Sequence, residues 1–347
     1  MDNRNYGYIN SVGEVIIDPI FSFALDFSEG LAAIREKGYY GYIDKTGKLV
    51  IPPNFEDADK FKNGMAIVKT KDNKEVYINT KGQIIEVKLE QYYELNNFNE
   101  GMSLVRAKNG FGYINTKGNV VVIPQYKSAG NFENGLALVS KNGSNFGYIN
   151  KSGEYIIEPK YYLATDFSNG IAAVKDSADK TKFINTEGKI VLEINSSYTC
   201  DNFSDDGLAV FYEEGKGYGY VDKNGKIVIK PDKRFKVLGS FYDGIAFFST
   251  EKAIGYIDKN GEILFSIDKE FGLKKVSNGM IPFYKRDNLG KIKYGFMNTK
   301  GEIKIKPKFR AIEPFKGNIA RVYLPEAFSD YLYINRNGDI IEPKKKY

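Results

Sequence analysis

The chain has 347 residues, 42% hydrophobic and 27% charged, with 26 Tyr and 24 Phe, far too apolar for a disordered protein and long enough for two ordinary domains or one array of small units. It holds one cysteine and no histidine, which excludes an intramolecular disulfide, the histidine-dependent triads and nearly all zinc sites. The formal charge of +6, from 50 basic and 44 acidic residues, is scattered, and its densest run, Lys344-Lys345-Lys346, is too short for a phosphate-neutralising surface, so no nucleic-acid partner is expected.

At the start, Met1-Asp2-Asn3-Arg4-Asn5 leads straight into a strand pattern and does not read as a signal peptide. No window approaches the roughly eighteen consecutive apolar residues of a membrane span. The expectation is a protein that neither spans a membrane nor carries an export signal and resides in the cytoplasm as encoded, although an exported fragment would read the same.

From Tyr8-Ile9-Asn10-Ser11-Val12-Gly13 to Tyr333-Ile334-Asn335-Arg336-Asn337-Gly338 one phrase returns ten times: aromatic, apolar, Asn or Asp, two polar residues, Gly. The closing glycines are Gly13, Gly47, Gly82, Gly118, Gly153, Gly188, Gly225, Gly261, Gly301 and Gly338, 34 to 40 residues apart. A fixed period of this length marks a repeat architecture. It predicts a single array over residues 1–347, with copies beginning near 6, 40, 75, 111, 146, 181, 218, 254, 294 and 331.

Each copy opens on a strand that alternates, as in Tyr40-Gly41-Tyr42-Ile43-Asp44. Gly precedes the aromatic in seven of ten copies, which predicts that a ring or backbone of the adjacent unit lies across it. Asn or Asp then caps a hairpin turn and the closing Gly accepts a positive φ. A second strand such as Lys48-Leu49-Val50-Ile51 is stopped in most copies by a proline: Pro19, Pro52, Pro124, Pro159, Pro231, Pro307 or Pro343.

A loop of about ten residues ends in Phe-x-x-Gly, as in Phe27 with Gly30, Phe61 with Gly64, or Phe241 with Gly244. One copy spaces Phe203 and Gly207 a residue further apart, another carries Val276 for the Phe, and another Asn318 for the Gly. The third strand follows, and its second residue after the glycine is small in Ala32, Ala66, Ser103, Ala137, Ala172, Ala209, Ala246 and Ala320 but not in Ile281. A recurrent small residue in a strand apolar on both faces marks close approach of a neighbouring layer, so the units stack.

The fold class expected is therefore all-β: about ten three-stranded antiparallel repeats of about 36 residues. Three strands are fewer than the usual four of a propeller blade, and no complementary strand remains at Met1 to complete a sheet. These two features favour an open, twisted array over the alternative, a closed propeller-like ring.

Tyr40-Gly41-Tyr42-Ile43-Asp44, Val50-Ile51-Pro52-Pro53 and Phe27-Ser28-Glu29-Gly30-Leu31-Ala32 resemble the bacterial WG-repeat family, and the resemblance runs over nearly the whole chain. The family's tryptophan is replaced by Tyr6, Tyr40, Phe111, Phe146, Tyr218 and Tyr294, and Glu75, Thr181 and Ile254 lose the aromatic. The resemblance implies a β-rich module of binding or scaffolding type and supplies no catalytic residue.

The residues themselves offer little chemistry. Asp44, Asp222 and Asp258 recur at the turn position, where capping explains them better than calcium, whose loops need several oxygen ligands close together. Glu214-Gly215-Lys216-Gly217-Tyr218-Gly219 lacks the helix and Lys-Ser/Thr of a phosphate loop and reads as a hairpin. Cys200 has no base to activate it, and Glu213-Glu214 and Asp205-Asp206 read as loop charge rather than as a glycosidase pair. No catalytic residue, metal or cofactor is expected.

Most aromatics stand at fixed repeat positions and are expected in the core. Tyr39, Tyr92, Tyr93 and Tyr162 lie off the pattern and are candidate partner contacts, as are Lys285, Arg286 and Lys291 in the longest copy, where Lys285–Lys291 extends a hairpin beyond the array. The reading is a non-enzymatic interaction or scaffold module binding a protein partner through a repeated β surface. The alternative is a module for cell-wall or other polysaccharide using spaced aromatics, and a carboxylate hydrolase ranks third.

Overall fold

A computed structural model describes residues 5–88, 92, 94–177, 180–194, 203–204, 206–325, 331–342 and 344–345, among which there are strands and turns and no helix. They form ten sheets arranged as a propeller: nine antiparallel blades and one partial sheet. Blade 1 consists of Phe23–Ala24, Leu31–Glu36, Tyr39–Asp44 and Leu49–Phe55, hydrogen-bonded in that order, and blades 2 to 9 repeat the scheme. Blade 6 shows three strands, Leu208–Glu213, Gly217–Asp222 and Ile227–Asp232, within the described residues.

The sequence phrase and the blade are out of phase by half a unit. Each copy supplies the last two strands of one blade and the first two of the next. The expected three strands are present, and a fourth comes from the loop, where two residues such as Phe23–Ala24 or Asp57–Ala58 pair with the following strand. A strand this short carries no periodicity of its own, yet it brings a 36-residue copy to the four strands of a blade.

Local chemistry sets the geometry. In blade 1, Asp44 Oδ1 accepts the amides of Thr46 (2.9 Å) and Lys48 (3.1 Å), while Gly47 closes the turn at φ +86° and donates its amide to the Asp44 carbonyl. Asp222 and Asp258 cap their turns in the same way. The glycine of the aromatic-glycine pair has a different cause from the one expected. A Cβ on Gly41 would meet the Ile51 carbonyl oxygen at 2.5 Å and Pro53 N at 2.7 Å, backbone of its own blade and not of the adjacent one. The three residues Tyr40 to Tyr42 of the third strand face the five residues Ile51 to Phe55 of the fourth, so that Pro52-Pro53 bulges over Gly41. Where Lys182 replaces the glycine and no proline follows, Thr181, Lys182 and Phe183 pair with Ile194, Glu193 and Leu192 without a bulge.

The core lies between blades. Tyr42 packs its ring 4.7 Å from Phe61 of the next blade and donates its hydroxyl to the Asp59 carbonyl at 2.7 Å. The small residues expected at a close approach are buried without exception, and Ile281 is buried with them. Ring pairs of this kind join successive sheets around the molecule, so each sheet hides its apolar faces against its neighbours.

The sheets close on themselves, which corrects the preference for an open array and realises the ring alternative. Each turn glycine sits against the last strand of the preceding sheet: Gly47 on Ile17, Gly82 on Ile51, Gly261 on Ile229, Gly338 on Ile305, and finally Gly13 on Ile341. Lys316 of the last blade also bridges to Asp26 of the first at 2.7 Å. The partial sheet is Tyr6–Ile9 and Glu14–Phe21, with Lys344–Lys345 added in parallel to Glu14–Val15. Closure is made by packing between sheets, with Gly13 against Ile341, rather than by pairing within one.

Candidate interaction surfaces

In each blade the last strand, such as Leu49–Phe55, ends its sheet and is paired on one side only among the described residues. Its first residues are branched and point to both faces, and here they are exposed: Ile16, Leu49, Val50, Ile84, Val121, Ile156, Ile190, Ile227, Val228, Ile263, Leu264, Ile303 and Ile340. Successive blades therefore present a series of apolar edges with unpaired backbone groups, the form of surface that accepts an added strand. The edge of Glu14–Phe21 carries one already, from the chain's own Lys344–Lys345. The sequence contained the signal, two adjacent branched residues after most turn glycines, but alternation alone does not tell a strand buried on both faces from one exposed on both.

The expected contact residues fall on separate blades. Tyr39 opens a strand of blade 1 beneath Lys71 Nζ, 4.5 Å from its ring centre. Tyr92 is half-buried and donates its hydroxyl to the Glu75 carbonyl at 3.2 Å. Tyr162 is exposed between blades 4 and 5. Tyr93, Cys200 and Asp205 lie outside the described residues. Lys285, Arg286 and Lys291 do come together, in the long hairpin of Met280–Arg286 and Ile292–Asn298, whose tip bears Leu289 at 81% exposure. Lys285 pairs with Glu270 at 3.1 Å, Arg286 donates to the Gly290 carbonyl at 2.9 Å, and the Lys291 amide caps Asp287. A shallow pocket of about 420 Å³ lies against Lys269, Glu270, Phe271 and Tyr284 at the base of this hairpin.

Two further cavities lie between sheets. At the seam between the last blade and the partial sheet, a cavity of about 280 Å³ is lined by Tyr6, Tyr8, Asp26, Lys316, Arg321 and Tyr333. Arg321 donates to Glu313 and to Tyr333 Oη, both at 3.2 Å, and stacks over Tyr331 at 4.6 Å, while its Nε is buried without a partner among the described residues. The hydrogen bond from Lys316 holds the Asp26 carboxyl below the usual range. The other cavity, about 200 Å³ and mostly apolar, opens between blades 7 and 8 beside Tyr256 and Val276. Burial pushes the Tyr256 phenol up to about 12, and its hydroxyl donates to the Lys274 carbonyl at 2.8 Å. In the sequence Val276 stands in the Phe slot of the Phe-x-x-Gly pattern, and the loss of a ring's volume there is the signal of a cavity.

The profile of the WG containing repeat matches residues 6–40, 40–74, 77–110, 111–144, 146–177, 183–216, 218–252 and 294–324. The stretch it passes over, between 252 and 294, holds Tyr256 and Val276. No curated protein sequence matches the chain. Solved structures similar to it include BamB from Moraxella catarrhalis (10% identity, 76% of this chain and 95% of that chain, TM-score 0.38). Others are Hsv2p of Kluyveromyces lactis (9%, 79% and 97%, TM-score 0.36) and PorZ of Porphyromonas gingivalis, a surface component of a type-IX secretion system (10%, 93% and 52%, TM-score 0.30).

Proposed function

Because the chain belongs to the WG-repeat family and its blades leave their last strands unpaired on one side, we propose that it is a non-catalytic interaction module that binds a protein partner along those edges. The observation that carries this reading is the recurrence of exposed branched residues on one edge strand after another, such as Leu49-Val50, Ile227-Val228 and Ile263-Leu264. A partner segment in extended conformation gains backbone hydrogen bonds from the edge and places alternate side chains on the apolar residues of either face. Lys344–Lys345 occupies the first edge in this manner. The complete lack of histidine in the sequence supports a role without catalysis of its own.

The polysaccharide reading draws on spaced aromatics, and the repeat positions turn theirs inward: Tyr42, Tyr77, Tyr113, Tyr148 and Tyr220 are fully buried. Exposed rings among the described residues, such as Tyr6, Tyr162, Tyr242 and Tyr331, are dispersed over several sheets.

Crosslinking in the native cell tests the proposal. The wild type is expected to capture a defined protein, and a variant carrying Leu49→Glu, Ile84→Glu, Ile227→Glu and Ile263→Glu to lose it while melting at an unchanged temperature. Undiminished capture by that variant, or retention on insoluble glycan that survives high salt, overturns it.

A further inference from the structure

Nine interblade junctions are built on one plan, and eight of them contain a pair of rings. An aromatic of one sheet meets the Phe of the next at centroid distances of 4.6 Å for Tyr8–Phe27, 4.7 Å for Tyr148–Phe167 and 4.7 Å for Tyr220–Phe241. Tyr42–Phe61, Tyr77–Phe98, Tyr113–Phe132 and Phe296–Phe315 fall within 4.7–4.8 Å, and Phe183–Phe203 is wider at 6.0 Å. At the ninth, Tyr256 faces Val276 and has no ring across the junction at that place.

The loss is coupled to a second change. Phe241 pairs across its hairpin with Ala246, and Phe132 with Ala137. In blade 8 the large and small residues are exchanged for two of middle size, Val276 and Ile281, the latter fully buried. Val276 walls a cavity of about 200 Å³ together with Tyr242, Ile245, Phe247 and Tyr256. An apolar cavity of about 150 Å³ is enough to take up benzene. At its mouth Lys275 Nζ stands 3.1 Å from the centre of the Tyr242 ring, and Lys275 has no carboxylate partner among the described residues.

We propose that this junction is a binding site for a phenyl ring carrying a carboxylate. The ring takes the place that a Phe side chain fills at the other junctions, edge or tilted face against Tyr256, as aromatic pairs prefer. The carboxylate remains at the mouth, where Lys275 turns from the Tyr242 ring to meet it. Aliphatic ligands of equal volume fill the space without the ring contact, and neutral aromatics forgo the ion pair. The site belongs to this junction alone among the nine, and it lies in the stretch that the family profile passes over.

Calorimetry with the full chain tests this, using 3-phenylpropionate and its neutral analogue 3-phenylpropan-1-ol. For a ligand of this size a Kd of about 10 µM to 1 mM is expected for the acid. Val276→Phe combined with Ile281→Ala, which rebuilds the Phe/Ala pair of the other blades, is expected to abolish binding of both probes. Lys275→Met is expected to weaken the acid about tenfold and leave the alcohol unchanged, and it guards against a rebuilt core that fails to fold. A blocked Asp-Phe-Asp peptide separates the two sources of the ring: tighter binding of the peptide assigns it to a partner's side chain, tighter binding of the acid to a small molecule. Saturation by neither probe, or unaltered binding in the folded double variant, overturns the proposal.

Discussion

The junction between blades 6 and 7 and the one between blades 7 and 8 place a buried tyrosine, Tyr220 or Tyr256, at the same point of the repeat and differ in the two residues set against it. In the first, the Tyr220 ring lies 4.7 Å from Phe241, and Phe241 is packed beside Ala246 with no exposure of either. In the second, Val276 and Ile281 stand in those places and a cavity remains. The tyrosine keeps its hydrogen bond in both, to the Gly239 carbonyl at 2.7 Å and to the Lys274 carbonyl at 2.8 Å. The hydroxyl therefore fixes the register of neighbouring blades, while the ring pair fills the space between them, and the second function can be given up without losing the first.

Removing each residue separates the two roles most sharply. Phe241→Ala should destabilise the protein by about 3–5 kcal/mol, since a buried ring is lost and its cavity stays. Val276→Ala, at a site already loosely filled, should cost only about 1–2 kcal/mol. Denaturant midpoints measure both; equal losses would mean that the two junctions are packed alike and that the cavity has no energetic counterpart. The reverse experiment is the cycle of Val276→Phe and Ile281→Ala. Ile281→Ala alone should cost about 2–5 kcal/mol by voiding, and adding Val276→Phe, whose ring enters the existing cavity, should recover part of that loss.

A comparable contrast exists within single blades. Gly41 lies under the proline bulge of its own blade, whereas Lys182 occupies the same position in a blade with no proline there and no bulge between Thr181 and Phe183. Gly41→Ala should cost about 1–3 kcal/mol, because a methyl group 2.5 Å from the Ile51 carbonyl oxygen forces the backbone to move. Lys182→Ala should be milder, limited to loss of the contact between Lys182 and Asp176. A larger loss at 182 would break the link between glycine and bulge.

These contrasts also show how far the sequence could be read. Turn glycines such as Gly47, the Phe of Phe-x-x-Gly and the small residue after it each obey a steric requirement local to one strand or turn, and such requirements recur visibly in every copy. The short first strand of each blade was not legible because two residues such as Phe23–Ala24 have no alternation to detect. Closure was not legible either: Gly13 against Ile341 is a contact between the two ends of the chain that no local pattern encodes. Of the candidate contacts, the long hairpin around Lys285–Lys291 could be read from an insertion, since extra residues must go outward. The edge residues could not, because their apolar character resembles that of the core.

Electrostatics gives the smallest contrast. Asp26 and Asp166 both stand one residue before the Phe of their copies, Phe27 and Phe167. Asp26 is at the seam, where the hydrogen bond from Lys316 holds its carboxyl below the usual range. Asp166 lies over Gly130 between two blades, its Oδ1 buried without a hydrogen-bond partner, and desolvation followed by the charge of Glu133 raises it. The lowered carboxyl adds stability above the ordinary aspartate value of about 3.9 and loses it as pH falls. The raised one is opposite in sign: the folded state prefers its protonated form, so stability is lost as pH rises above that value. Asp26→Asn should therefore lower stability near neutrality by no more than about 1 kcal/mol, as expected of an exposed pair, and Asp166→Asn should raise it by about 1 kcal/mol or less. Melting temperatures recorded from about pH 4 to pH 7 check both. The two variants should diverge from the wild type in opposite directions as pH increases, and a shift of the same sign in both would show that position in the repeat, rather than the neighbouring blade, sets the behaviour of the carboxyl.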